Sequence, residues 1–413
     1  MAIDKKSSNF PGVHHTTFNY LNKIIRDAGW SSLVARRAHN PKVVGSNPTP
    51  ATNKKPSMSF DIEGFFSVIN FMNLIRKKMQ SLMITKYGDL NTSLEIQEVP
   101  IPTIGPNQIL IKTHAASFNP LDFKIVRGDF KAIRKIQFPR GIGRDVSGVI
   151  EKVGEKVKKL QIGDKVYSRI DENFVGTMAE YVISNAIDVA LIPSNLNYGE
   201  AASIPLAGLT VYQSLIDIAK LSSGENILIH AGSGGVGTIA IQLSKQLGAN
   251  VTVTTSTKNV GMVKELGADN VIDYSKQNYL ETGDKFDVVF DTLGGHYTLD
   301  SFKVLKAGGR VVSIAGNLDS VTTKQLGLNK IIRFLLALKA KKITKAASKI
   351  GALYRFLLMS PNGGQLKELA KLYEAGSIKP VIDKTYNFDD SIQALDYLSK
   401  GRAKGKVIVQ FMD

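Results

Sequence analysis

Asn226-Ile227-Leu228-Ile229-His230, then Ala231-Gly232-Ser233-Gly234-Gly235-Val236-Gly237, then Thr238 to Leu247, reads as a strand, a glycine-rich turn and a helix. A bare G-x-G-x-x-G spacing is a weak signal, and the apolar strand before it and the helical pattern after it give it weight. Gly232 permits the tight turn, Gly234 lets the backbone approach a pyrophosphate, and Gly237 lets the helix pack close to the strand. The helix start then offers amide donors and the positive end of its dipole to the phosphates. Dinucleotide binding is the reading, with Gly232, Ser233, Gly234, Gly235, Val236 and Gly237 as candidate cofactor contacts.

After about Ala201 the texture is apolar strands alternating with amphipathic helices, and the motif is followed by Val251 to Thr255, Val260 to Leu266, Val288 to Asp291 and Val311 to Ala315. That alternation specifies βαβ units and a parallel sheet. Upstream, from Leu82 to about Pro193, short strands are separated by Gly, Pro and Asp turns: Ile109 to Thr113, Val146 to Val153, Lys165 to Ser168, Ala179 to Ile183. This predicts a mostly antiparallel β domain. Leu328 to Met359 reads as a basic, apolar-interleaved helical stretch, either an excursion with a solvated face or a peripheral membrane or nucleic-acid contact. The chain closes with a helix from Gln365 to Ala375, a strand near Tyr386, another helix and a final strand from Lys406 to Phe411.

The 413 residues are long enough for two cores and hence for a cleft between them. With no cysteine, disulfides, thiolate nucleophiles and Cys-ligated zinc or iron–sulfur sites are excluded. No apolar run reaches the roughly 18 to 20 residues a membrane span needs, and no signal core follows Lys5 and Lys6, so a cytoplasmic address is expected. The net charge of +17 is not one patch: residues 1 to 78 hold 12 Lys/Arg against 4 Asp/Glu, and the remainder 41 against 32. No aromatic-interleaved basic motif for bases is present, so no specific nucleic acid is expected.

Residues 1 to 78 show neither helical periodicity nor strand alternation. Gly45-Ser46-Asn47-Pro48 is what a reading frame gives when it crosses the T-loop of a transfer-RNA gene, and Ser31 to Asn53 resembles such a translation. The expectation is a non-native or disordered extension, with the native chain starting near Met79.

The second strand of the nucleotide unit ends Thr254-Thr255-Ser256-Thr257-Lys258, and no acid appears between Gly232 and Glu265. An NAD site usually places Asp or Glu there for the ribose 2′-hydroxyl. Hydroxyls with a nearby cation suit a 2′-phosphate, so NADPH is the expected cofactor.

Ordered motifs then carry a resemblance: Asn119-Pro120-Leu121-Asp122-Phe123-Lys124, Gly143-Arg144-Asp145-Val146-Ser147-Gly148, Gly163-Asp164-Lys165-Val166, Ala179-Glu180-Tyr181, Ala207-Gly208-Leu209-Thr210, the glycine-rich turn, Gly267-Ala268-Asp269 with Ile272-Asp273-Tyr274, and Gly405-Lys406-Val407. From Met79 to Asp413 the chain resembles the medium-chain dehydrogenase/reductase superfamily, in its zinc-free quinone oxidoreductase and alkenal/enone reductase branch. The resemblance implies an α/β fold: a GroES-like, mostly antiparallel catalytic domain (79–205, completed by 346–413) and a Rossmann-type doubly wound parallel sheet (206–345). It implies a homodimer paired along the Rossmann sheets. Zinc-dependent members carry ligand pairs where this chain has Asn119-Pro120 and Arg144-Asp145, leaving only His114 and Asp145 as candidates, so no metal is expected.

The resemblance also implies roles. Asn119 and Thr210 would flank the nicotinamide; Ser256, Lys258, Tyr274 and Arg402 would surround the 2′-phosphate; Ser313, Ala315 and Gly316 would line the nicotinamide ribose. Lys124 is the expected proton donor to the substrate carbonyl, with solvent as the alternative, and Asp122 either orients Lys124 or caps a turn. The function implied is hydride transfer from NADPH to a quinone or to the C=C bond of an α,β-unsaturated carbonyl compound. The alternative is a non-catalytic NADPH-binding protein, a redox sensor or RNA-binding relative.

Overall fold

The computed structural model describes residues 78–411, apart from 132–134, 172 and 175. The reading of residues 1 to 78 as an extension lies outside the described residues, except for Lys78, which opens the strand Lys78–Ile84.

The segments Asn226–Ile229, Asn250–Thr255 and Phe286–Asp291 are buried along almost their whole length, as strands covered on both faces must be. They sit inside a six-stranded sheet whose order is Asn270–Asp273, Asn250–Thr255, Asn226–Ile229, Phe286–Asp291, Leu305–Ser313, Leu353–Phe356. Every neighbouring pair in it is parallel. Numbered along the chain this is the order 3-2-1-4-5-6, which reverses between Asn226–Ile229 and Phe286–Asp291, so a crevice opens at the carboxyl ends of those strands. The glycine-rich turn leaves the first of them and enters the helix Gly235–Gln246.

The second sheet has seven strands and runs Ile382–Asn387, Lys406–Gln410, Gln108–Phe118, Asp145–Val153, Lys165–Arg169, Val189–Leu191, with Tyr181–Asn185 also paired to Gln108–Phe118. All its pairings are antiparallel except that between Ile382–Asn387 and Lys406–Gln410. The last strand of the chain therefore lies in the middle of a sheet begun by the first third of it. This brings Lys406 beside Asn119.

One stretch differs from its reading. The helix expected across 328–359 ends at Lys349, Gly351 takes φ +65°, and Leu353–Phe356 becomes the outermost strand of the parallel sheet. The Rossmann sheet thus runs past the boundary drawn at 345. The strand is only four residues long and half-exposed, and Leu-Tyr-Arg-Phe continues the apolar and basic texture of the helix before it.

Candidate active site

A cleft of about 490 Å³ opens between the two sheets, lined by Asn119, Asp122 and Lys124 from the antiparallel side and by Thr210, Val236 and Ala315 from the parallel side. It is the crevice that the strand order requires.

The glycine-rich turn fits its sequence reading. A Cβ on Gly237 would lie 2.5 Å from the Ala231 carbonyl oxygen, so only glycine lets the helix approach the turn. Gly234 differs: a Cβ there would meet nothing closer than 3.5 Å, and its φ of −82° suits any residue. The protein itself does not need glycine at 234, and the open space beside the backbone suits a pyrophosphate. Ser233 Oγ accepts from Thr255 Oγ1 (3.1 Å) and Asn259 Nδ2 (3.0 Å), which leaves its own proton to donate outward.

A buried polar cluster beside the cleft centres on Asp145, which is fully buried. Its Oδ2 accepts from Ser117 Oγ (2.8 Å), Asn119 Nδ2 (2.8 Å) and Lys406 Nζ (3.1 Å), and its Oδ1 accepts the Leu206 N–H (2.7 Å). Lys406 Nζ also donates to Asn119 Oδ1 at 2.6 Å. The Asn119 amide is thus held at both ends and keeps one N–H and one lone pair free of those bonds. The cluster reaches the nucleotide turn as well: the Gly405 N–H donates to Ser233 O (3.0 Å), and a Cβ on Gly235 would lie 2.8 Å from Lys406 Cδ. Lys406, the buried cation that joins this cluster, is missing from the candidates, though it lies in the quoted motif Gly405-Lys406-Val407.

Leu206 opens the helix Pro205–Tyr212, which carries Thr210. Thr210 Oγ1 donates to Leu206 O at 2.7 Å, so toward a ligand it can only accept. Beyond Tyr212 the helix loosens into a π turn, where Gln213 Nε2 donates to Ser360 O (2.8 Å) and Gln213 Oε1 accepts the Ser360 N–H (3.1 Å). That exchange anchors the Phe356 to Met359 wall of the cleft.

Asp122 and Lys124 lie on the helix Pro120–Arg127. Of the two roles expected for Asp122, capping is the one present: its Oδ2 accepts the Asn119 N–H at 2.7 Å. Its Oδ1 is buried without a hydrogen-bond partner among the described residues. Burial, partly opposed by the Arg144 guanidinium, pushes its carboxyl up to about 6. Since the folded value lies above the unfolded one, stability is full below about pH 4 and falls as pH rises to about 6, by up to about 3 kcal/mol for two pKa units. Asp122→Asn is expected to remove that fall, checked by urea unfolding of both proteins at about pH 4 and about pH 7. Parallel pH profiles would exclude it. Lys124 is half-buried in the cleft and makes no hydrogen bond or ion pair among the described residues.

At the far end of the turn, Ser256 is half-buried, and Asn259 Nδ2 donates to its Oγ at 3.3 Å. Asn259, which is not among the sequence candidates, is buried with its Oδ1 unpartnered among the described residues. Lys258, Arg402 and Tyr274 are exposed. A carboxylate is present one strand over: Asp273 Oδ2 accepts from Thr257 Oγ1 (2.6 Å), its Oδ1 from the Ser275 N–H (3.0 Å), and Lys276 lies 3.7 Å away. Ser313 is buried and committed elsewhere. It donates to the buried Asp291 (2.8 Å) and accepts the N–H groups of Gly316 (2.8 Å) and Ala315 (3.3 Å), so it shapes the loop on which Ala315 lines the cleft.

No group of three His, Cys, Asp or Glu side chains among the described residues is placed to hold a metal. His114 stacks on Tyr198, ring centroids 4.3 Å apart. The residues do not fit a catalytic zinc: Asn119 and Asp145 converge on the Lys406 ammonium instead.

Comparison with known proteins agrees with this architecture. Residues 105–194 match the family described as alcohol dehydrogenase GroES-like domain, and residues 266–409 match the one described as zinc-binding dehydrogenase. The chain is 39% identical over 345 residues to 2-methylene-furan-3-one reductase of Solanum lycopersicum, covering 81% of this chain and 80% of that protein. It is 35% identical over 345 residues, with the same coverage, to the chloroplastic NADPH-dependent alkenal/one oxidoreductase of Arabidopsis thaliana. The quinone oxidoreductase structure from Coxiella burnetii superposes with a TM-score of 0.69 at 30% identity, over 81% of this chain and 99% of that one. With both domain types, the strand order and these relatives in agreement, the chain belongs to the medium-chain dehydrogenase/reductase superfamily, in the branch of NAD(P)H oxidoreductases that contains quinone oxidoreductases and enone reductases.

Proposed function

We propose that the protein is an NADPH-dependent reductase that delivers hydride to a quinone or to the C=C bond of an α,β-unsaturated carbonyl compound. The observation that carries this reading is a cleft whose walls Lys124, without a hydrogen bond or ion pair among the described residues, shares with Thr210, Asn119 and the loop of Ala315. Bound NADPH supplies the hydride. The turn Gly232 to Gly237 would hold its pyrophosphate, with the Ser233 hydroxyl as one donor. Thr210, able only to accept, suits the amide hydrogens of a carboxamide, and Asn119 offers its remaining N–H and lone pair. Ser313 acts indirectly, by fixing the amides of Ala315 and Gly316.

Preference for NADPH rests on the other end of the turn. Ser256, Lys258 and Arg402 offer a hydroxyl and two cations, while Asp273 is committed to Thr257 and Ser275 and faces Lys276. Lys124 would stabilise negative charge arriving on the substrate oxygen and can pass it a proton. A homodimer is supported by the outermost strand Leu353–Phe356, which has no partner on its outer side among the described residues.

The test is oxidation of NADPH against one quinone, one short enal, one enone and one simple ketone, with NADH and a chelator as controls. Turnover of quinone or enone that prefers NADPH and ignores chelator is the expected result. NADPH binding with no turnover of any of them would replace the reading with a non-catalytic dinucleotide-binding protein.

A further inference from the structure

The helix Lys330–Lys349 packs through Ala340, Ile343 and Ala347, and the opposite face is exposed. On that face Ile331, Phe334, Leu335 and Leu338 stand 74%, 63%, 54% and 52% exposed. Their spacing of i, i+3, i+4 and i+7 puts them on one stripe. The same stripe continues through Lys341, Lys342, Lys345 and Lys349, all exposed. No acid occurs between Lys330 and Lys349. The one carboxylate in the groove alongside, Asp319, is ion-paired to Arg355 at 3.7 Å. The face is therefore divided lengthwise, with an apolar half roughly 12 Å long at 1.5 Å per residue followed by a row of ammonium groups.

We propose that this face docks the protein on a bilayer surface bearing anionic phospholipid headgroups. Water is a poor neighbour for four large apolar side chains in one patch, and such patches mark interaction sites. The charge row selects the occupant: it would repel itself across a contact with a second copy, and it complements an anionic lipid surface. A helix lying in the interface sinks an apolar face about 5–10 Å deep and keeps its cations at headgroup level, which this division allows. The contact is peripheral, since no helix among the described residues is long and apolar enough to cross a membrane. This surface serves no part of the reduction proposed above, and the inference stands or falls separately from it.

The test is co-sedimentation of the full chain with extruded vesicles of phosphatidylcholine, with and without phosphatidylglycerol. Binding only to the anionic vesicles, weakened by salt, is expected. Lys341→Gln/Lys342→Gln/Lys345→Gln/Lys349→Gln is expected to reduce binding about fivefold per charge removed. Phe334→Asp/Leu335→Asp is expected to abolish it with unchanged Tm and NADPH binding, because both side chains are exposed. Absence of wild-type binding would overturn the proposal. So would full binding by the quadruple glutamine variant, which would assign the attraction to other cations of this basic chain. Self-association lost in the aspartate variant, without vesicle binding, would assign the face to a second copy instead.

Discussion

Lys406→Met is expected to cost about 3 to 5 kcal/mol of stability, the usual penalty for removing one partner of a buried ion pair. Lys406 and Asp145 are both buried, and the pair is 3.1 Å apart. The carboxylate left behind would keep Ser117, Asn119 and the Leu206 N–H as donors but would have no countercharge among them. The second effect is on chemistry. Asn119 loses the donor to its Oδ1, and a small displacement of a positioning side chain lowers turnover on the order of tenfold to a hundredfold. NADPH affinity is expected to change much less, because the bond from Gly405 to Ser233 is between backbone groups.

A double variant separates pairing from packing. Lys406→Met/Asp145→Asn removes the unpaired carboxylate, so it is expected to recover part of the stability, with a coupling above about 1 kcal/mol, while kcat stays low. Denaturant unfolding and a kcat-against-KM comparison of the three proteins are the measurements. A loss under about 1 kcal/mol for Lys406→Met would mean that the ammonium is not held as described, and strictly additive losses would mean that the two residues do not act as a unit.

This cluster is assembled by contacts between distant parts of the chain, and a sequence displays only what is local. The nucleotide turn was legible because its reasons are local: an apolar strand, glycines at fixed offsets and a helix start lie within about twenty residues. The alternation of strand and helix was likewise enough for the parallel sheet. Lys406 and Asn119 are 287 positions apart, and no spacing rule joins them; only the insertion of the last strand beside Gln108–Phe118 does. Asp122 lay within reach, since a carboxylate three residues after an asparagine is a helix-start pattern and decides between its two expected roles. Asn259 gave no signal, because a buried amide in a 3-10 turn looks like any loop asparagine. What the Ser313 hydroxyl faces is set by Asp291, from another strand, and no local pattern announces it.

Lys124→Ala is expected to lower kcat/KM for an enone by about a hundredfold or more while leaving NADPH affinity nearly unchanged. A positioned proton donor contributes roughly 10²- to 10⁴-fold, and an electrostatic contact to a developing oxyanion about 10²- to 10³-fold. Lys124 can supply either, because it lines the cleft and its ammonium makes no hydrogen bond or ion pair among the described residues, so none of those bonds competes with a substrate oxygen. Lys124→Arg distinguishes the two. Arginine keeps the positive charge but effectively never gives up its proton. A rate near wild type would make the residue an electrostatic support with solvent delivering the proton, whereas a rate as low as that of the alanine variant would make it the donor. Unchanged turnover in Lys124→Ala would remove Lys124 from the chemistry and leave proton delivery to solvent reaching the cleft.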